Sequence, residues 1–224
     1  MARAPAMIRK AGRSGASGAL LTAYEELVLP SLIRLACSQP SFAPWRMRAL
    51  AGVRGRVVEI GFGSGENLSH YPAAVESVAG VDPSARAVRS SVAASLRAPF
   101  PVTVHQAVAE SMPLDSGSFD SAVATFCLCS VDDPGVALAE IARVLRPGGL
   151  LHFLEHGLSP EPRVAAWQRR LDPIERVVAG GCNLSRDPRA MLVRAGFEIL
   201  ELEEAAALHP KPWGYLYRGV ARPS

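Results

Sequence analysis

Val57-Val58-Glu59-Ile60-Gly61-Phe62-Gly63-Ser64-Gly65-Glu66-Asn67 is the stretch that decides the architecture of this 224-residue chain. An apolar, β-branched run passes into three glycines at alternate positions and then into a helix-forming segment. That order reads as a buried strand, a tight turn and a helix start. Glycine accepts positive φ and lets a ligand approach the backbone closely. In doubly wound sheets the ligand crevice lies at the carboxyl edge, beyond the first strand. Dinucleotide loops read G-x-G-x-x-G, whereas this loop is G-x-G-x-G with Glu59 two residues before its first glycine. A pyrophosphate would meet that carboxylate unfavourably; an ammonium or sulfonium cation would be attracted to it.

Working outward, Val78-Ala79-Gly80-Val81-Asp82 reads as a second strand ending in an acid that can accept both hydroxyls of a ribose. Apolar patterning predicts strands near 56–60, 75–81, 102–107, 118–125, 150–155, 198–203 and 215–220. It predicts helices near 66–70, 84–96, 134–145, 164–179 and 188–195. The helix over 134–145 is the best marked, with Asp133 to cap it, Pro134 in its first turn and Pro147-Gly148 beyond its end. Such alternation implies an α/β, doubly wound, Rossmann-like sheet of seven strands with helices on both faces.

The domain reading is a basic, disordered tail over 1–18, a helical extension over 19–52 and the α/β domain over 53–224. The tail carries Arg3, Arg9, Lys10 and Arg13 and no acid. In the extension, Leu20, Tyr24, Leu27, Val28, Leu32 and Leu35 fall at helical spacing, and a second short helix is expected through Trp45 to Leu50. It serves either as packing against the sheet edge or as a lid. Lysine and arginine total 24 against 21 acids, too balanced for an extended nucleic-acid surface. The apolar stretch 19–37 is broken by Glu25, Glu26, Pro30 and Arg34, so no integral membrane segment is expected, and the cytoplasm is the default location. Cys37, Cys127, Cys129 and Cys182 do not form a disulfide framework. The Cys127/Cys129 pair has no further ligands at a zinc-like spacing, so no metal is expected.

The ordered segments resemble class I S-adenosylmethionine-dependent methyltransferases. The resemblance runs over about residues 55–155: the glycine loop, Asp82, Ala109-Glu110-Ser111-Met112-Pro113, Phe119-Asp120 and Arg146-Pro147-Gly148-Gly149. It implies an antiparallel last strand, S-adenosyl-L-methionine as cofactor and S-adenosyl-L-homocysteine as product. Glu59, Gly61, Gly63 and Gly65 would then hold the methionine end, Asp82 the ribose, and Pro83 with Ala109 and Glu110 the adenine. Val108 departs from the pattern, because many relatives carry an acid there for the adenine amino group.

Further segments resemble the animal alkyl-thiol methyltransferases and their bacterial relatives. They are Leu128-Cys129-Ser130-Val131, Glu155-His156, Trp167-Gln168, Leu171-Asp172-Pro173, Gly181-Cys182-Asn183-Leu184-Ser185-Arg186 and Trp213-Gly214-Tyr215. This implies a small hydrophobic thiol as acceptor, with oligomeric state left open. His156, at the cofactor edge of the sheet, is the candidate base, since an imidazole titrates near pH ~6.5; a backbone-satisfied structural histidine is the alternative. Asp172 is read as orienting His156, as binding substrate or as a capping acid. Phe126, Leu128, Trp167, Cys182 and Asn183 are candidate pocket walls. Competing functions are O-, N- or C-methylation of a small natural product or quinone-like ring, RNA methylation, and non-catalytic cofactor binding.

Overall fold

The computed structural model describes Val28, residues 39–207 and residues 209–224. The expected tail and, apart from Val28, the expected helix over 20–35 lie outside them. The second short helix is α1, Ala43–Leu50. The strands are β1 Gly55–Ile60, β2 Val75–Asp82, β3 Val102–Gln106, β4 Phe119–Thr125, β5 Leu145–His156, β6 Phe197–Ala206 and β7 Tyr215–Pro223. The remaining helices are α2 Ala85–Ser95, α3 Pro134–Val144, α4 Pro162–Val178 and α5 Pro188–Arg194.

One seven-stranded sheet runs in the order β3-β2-β1-β4-β5-β7-β6. The first five strands pair in parallel, and β7 pairs antiparallel with both β5 and β6. The chain leaves β1 toward β2 on one side and returns through β4 on the other. Their neighbouring carboxyl ends therefore form the switch point at which such sheets bind ligands.

Four consecutive buried residues of β1 explain why that strand is central. Val58 and Ile60 face a core shared with Leu138 and Ile141 of α3. Val57 faces the opposite core, with Leu50 of α1 and Phe62 of the glycine loop. Phe62 seats over β2 because residue 80 is glycine; a Cβ there would lie 2.5 Å from the ring.

Two elements depart from the sequence expectation. The helix expected over 66–70 is a single 3-10 turn, Leu68–His70. Pro72 disfavours a helical Tyr71, whose backbone is extended at ψ 135°, so the segment ends after one turn. Strand β5 begins at Leu145 rather than at 150 and runs through Pro147-Gly148, with an irregular register opposite Phe119 and Ser121. Arg146 pairs with Asp120 there, which helps hold the added stretch against β4.

Candidate active site

Gly61, Gly63 and Gly65 all have positive φ, at 70°, 58° and 82°, so the loop takes a path that L side chains resist. Gly61 packs against the loop that follows β4, where a Cβ would lie 2.5 Å from Cys127 Cβ. Gly63 is different: a Cβ there would meet only the Gly61 carbonyl oxygen, at 3.9 Å. Its surface is an open cradle. Gly61→Ala combines a left-handed backbone with a collision against a buried side chain, costing about 2–3 kcal/mol. Its expected result is a cofactor affinity at least tenfold lower by calorimetry. Wild-type affinity in this variant would show that the loop does not form the cofactor floor.

Asp82, at the end of β2, fixes this loop. Its Oδ2 accepts the Gly63 amide at 2.9 Å and its Oδ1 the Ser84 amide at 2.8 Å. Burial raises its carboxyl above the usual range, against the pull of those two amides. Pro83 follows and is exposed.

Glu59 lies beneath the loop, 1% exposed. It accepts from Asn67 Nδ2 at 2.8 Å and from the Tyr71 hydroxyl at 2.6 Å. Burial raises its carboxyl to about 7, although both hydrogen bonds and the charge of Arg46 pull the other way. Arg46 is itself buried, and its Nη1 donates to Asn67 Oδ1 at 2.6 Å and Thr125 Oγ1 at 3.1 Å. The sequence reading missed Arg46, Asn67, Tyr71 and Thr125. Arg46 sits on a helix that was found, beside Ala49 and Leu50, but nothing in its spacing signals a buried cation.

The Ala109-Glu110 loop is braced from α3. Glu140 Oε2 accepts the Met112 amide at 3.0 Å, and Arg143 donates to the Met112 and Leu114 carbonyls at 3.1 and 2.8 Å. Arg143 holds the Glu140 carboxyl below its ordinary range. Ala109 is buried, and Glu110 Oε1 accepts the Asp133 amide at 3.1 Å.

Beyond β4 the chain makes a strained corner. Phe126 has φ 54°, a left-handed value unusual for a bulky residue. Its ring contacts Phe42 at 4.8 Å and the His156 ring at 6.2 Å between centroids. Glu155 holds the corner: its buried Oε1 accepts the Cys127 and Leu128 amides at 2.9 and 2.8 Å. Burial raises the Glu155 carboxyl to about 8. Leu128 is fully buried.

His156 leaves β5 beside Cys129 and Cys182, with Nε2 at 3.3 Å from Cys182 Sγ. Burial opposes its charge, but the negative charge and hydrogen bond of Cys129 prevail and raise the ring to about 9. Asn183 joins the group through its backbone, whose amide donates to the Cys129 carbonyl at 3.0 Å.

Two expectations are corrected by position. Asp172 is buried, but its carboxylate takes the amide and hydroxyl of Ser185, not His156. It fastens the loop after α4. Trp167 is 57% exposed, with Arg170 over its ring, and is not drawn into the cluster around Cys129. The helical turn points Gln168 inward instead, where it bonds the Gly157 and Pro212 carbonyls.

These residues suit S-adenosylmethionine. The open surface at Gly63 leaves room for a ligand, and the strand that leads into the loop carries a buried carboxyl group, Glu59. Among the described residues no helix is long and apolar enough to cross a membrane. Fold and loop together define an S-adenosylmethionine-dependent methyltransferase.

Residues 58–153 match the methyltransferase domain family. The human thiol S-methyltransferase TMT1A is 34% identical over 180 residues, which is 75% of this chain and 70% of that protein. The ubiquinone/menaquinone biosynthesis C-methyltransferase UbiE of Syntrophotalea carbinolica is 37% identical over 134 residues, 56% and 55% of the two chains. Among solved structures, a possible histamine N-methyltransferase of Thermotoga maritima aligns with a TM-score of 0.63 at 21% identity, covering 92% of this chain and all of that one. The [4+2]-cyclase SpnF aligns at 0.65 and 20% identity, covering 81% and 80%. The chain belongs to the class I S-adenosylmethionine-dependent methyltransferases.

Proposed function

We propose that this enzyme methylates the sulfur of a small, hydrophobic thiol. The observation that carries the reading is the reach of the likeness to thiol S-methyltransferases. At 180 residues it extends well past the 58–153 domain match. The acceptor-side segments Glu155-His156 and Gly181-Cys182-Asn183 lie beyond that domain boundary.

S-adenosylmethionine supplies a methyl carbon already activated by its sulfonium. The protein's task is then alignment and exclusion of water, worth up to ~7–11 kcal/mol in favourable cases. Glu59 holds the ammonium end, Arg46 the carboxylate, Asp82 the ribose, and Pro83 with Ala109-Glu110 the adenine. Gly61, Gly63 and Gly65 admit the cofactor to the backbone. Phe126, backed by the fully buried Leu128, forms the apolar side of the acceptor space, with Cys182 and Asn183 opposite. His156 serves the acceptor through its cluster with Cys129 and Cys182, since its Nε2 faces Cys182 Sγ rather than standing free as a base.

The test is a panel of alkyl thiols, phenols, amines and quinols with labelled cofactor. Transfer to apolar thiols at rates at least tenfold above the rest is expected. Methylation confined to a quinol ring carbon would overturn the thiol reading in favour of the activity named for UbiE, which the identity over 134 residues supports as the second choice.

A further inference from the structure

We propose that Cys129, His156 and Cys182 form a zinc site whose open fourth position receives the acceptor. The three side chains come from separate parts of the chain: the loop after β4, the last residue of β5 and the loop after α4. Their ligand atoms nonetheless lie within 4.8 Å of one another. In a tetrahedral site, Zn–S near 2.3 Å and Zn–N near 2.05 Å place the donor atoms about 3.5–3.8 Å apart. The observed 3.3 Å between Cys182 Sγ and His156 Nε2 needs only a few tenths of an ångström of side-chain adjustment.

The backbone around the cluster is built to keep the two cysteines together. Asn183 donates its amide and its Nδ2 to the Cys129 carbonyl, at 3.0 and 3.2 Å. Arg176 Nε fixes the Asn183 side chain from α4, at 2.5 Å from its Oδ1. Arg186 Nη1 donates to the Leu128 carbonyl at 2.7 Å. Gly181, at φ 91°, allows the close approach, since a Cβ there would lie 2.9 Å from the Ser130 carbonyl oxygen. Asp172 anchors the far end of the same loop through Ser185. None of these bonds uses a sulfur atom, so the scaffold holds both thiols in register; Cys129 Sγ lies 3.4 Å from Ser130 Oγ and Cys182 Sγ 3.3 Å from His156 Nε2, contacts that a bound metal would replace.

The donor set selects the ion. Two thiolates and an imidazole are soft to borderline ligands, which suit zinc and exclude magnesium or calcium, whose ligands are oxygen. Both cysteines are buried against Leu184, with Leu171 and Ala179 alongside, and Glu155 lies next to His156 in the chain. A divalent cation neutralises negative charge that a dry wall cannot solvate. Among the described residues the group offers three protein ligands, the count of catalytic rather than structural zinc.

The role of the fourth position rests on the thiol reading given above. An acceptor thiol binding there gives up its proton to water and coordinates as the thiolate. Its sulfur then forms a bond to the methyl carbon as the carbon–sulfonium bond breaks, that electron pair passing to the sulfur of S-adenosylhomocysteine. No general base is required, which fits a histidine whose Nε2 already faces a cysteine.

The experiment measures metal content by plasma mass spectrometry on tag-free protein, loaded with zinc and dialysed, for wild type, Cys129→Ser and Cys182→Ser. Calorimetry with S-adenosylmethionine reports that each variant is folded. About one zinc per chain is expected in wild type, with at least a tenfold loss in both variants and cofactor affinity kept within about threefold. Replacing zinc by Co²⁺ is expected to give the visible bands of a tetrahedral thiolate complex. A wild type that retains no zinc, zinc that survives both substitutions, or a Cys129–Cys182 disulfide in the protein isolated without reductant would each overturn the site. Zinc without any thiol turnover sinks the thiol assignment and leaves the site standing. Thiol turnover at an undiminished rate by metal-free enzyme leaves the thiol assignment standing and overturns the metal as the group that receives the acceptor.

Discussion

Asp82→Ala is expected to weaken S-adenosylmethionine binding by a hundredfold or more. The carboxylate accepts two backbone amides, one from the glycine loop and one from the turn into α2. Hydrogen bonds to a charged group contribute about 1.5–3 kcal/mol each. Alanine leaves the Gly63 and Ser84 amides without that partner and removes the acceptor assigned to the ribose. A hundredfold corresponds to ~2.7 kcal/mol, so loss of even part of these interactions suffices. Asp82→Asn retains one acceptor oxygen and should fall between the two. Isothermal titration of both variants decides the matter. An alanine variant that binds as tightly as wild type would remove Asp82 from the cofactor site.

Glu59→Gln is the second large effect, and it is a pH effect. Burial raises the Glu59 carboxyl to about 7, so near neutrality a substantial fraction carries a proton. Only the ionised form attracts a cationic ligand, and binding must therefore expel that proton. Below about pH 7 the expulsion costs up to a factor of ten in affinity per pH unit; above it the affinity levels off. Wild-type protein is thus expected to bind more tightly as the pH rises from 6 to about 7, with proton release visible as a buffer-dependent heat. The isosteric glutamine keeps an acceptor for Asn67 and cannot ionise. Its affinity should be flat over the same range and about 30- to 100-fold weaker at pH 8, since one ion pair at intermediate dielectric contributes a few kcal/mol. A wild type without the slope, or a glutamine variant that retains it, assigns the cation to another group.

The two substitutions probe different parts of the fold that were unequally legible. Asp82 and the glycine loop could be read directly, because a strand, a turn that needs positive φ and a strand-terminal acid are local patterns. The glycine spacing and Glu59 already argued against a pyrophosphate. The strength of Glu59 as an acid could not be read, because it depends on Tyr71 and Asn67 at the two ends of the 3-10 turn and on Arg46 of α1. The failed helix over 66–70 has a local cause, the proline at 72, which the reading passed over. The exposure of Trp167, and the choice among the readings of Asp172, could not be read for a different reason. Residue type marks a side chain as a candidate wall or acid, but which way a helix faces depends on what it packs against.

By itself the sequence determined the strand order of events along the chain, the cofactor class and the turn that admits it. The elements and the turn rest on residues within a few positions of one another, where backbone conformation and hydrogen bonding are set locally, and the cofactor class on the ordered resemblance over about residues 55–155. Only the tertiary structure decided which side chains meet at the end of β5. Cys129, His156 and Cys182 lie 27 and 26 residues apart in sequence, with no spacing that signals a common site. They meet because β4 and β5 pair in parallel, and because Asn183 is bonded to the Cys129 carbonyl. Such proximity is a property of sheet order and loop closure, which a one-dimensional pattern does not contain.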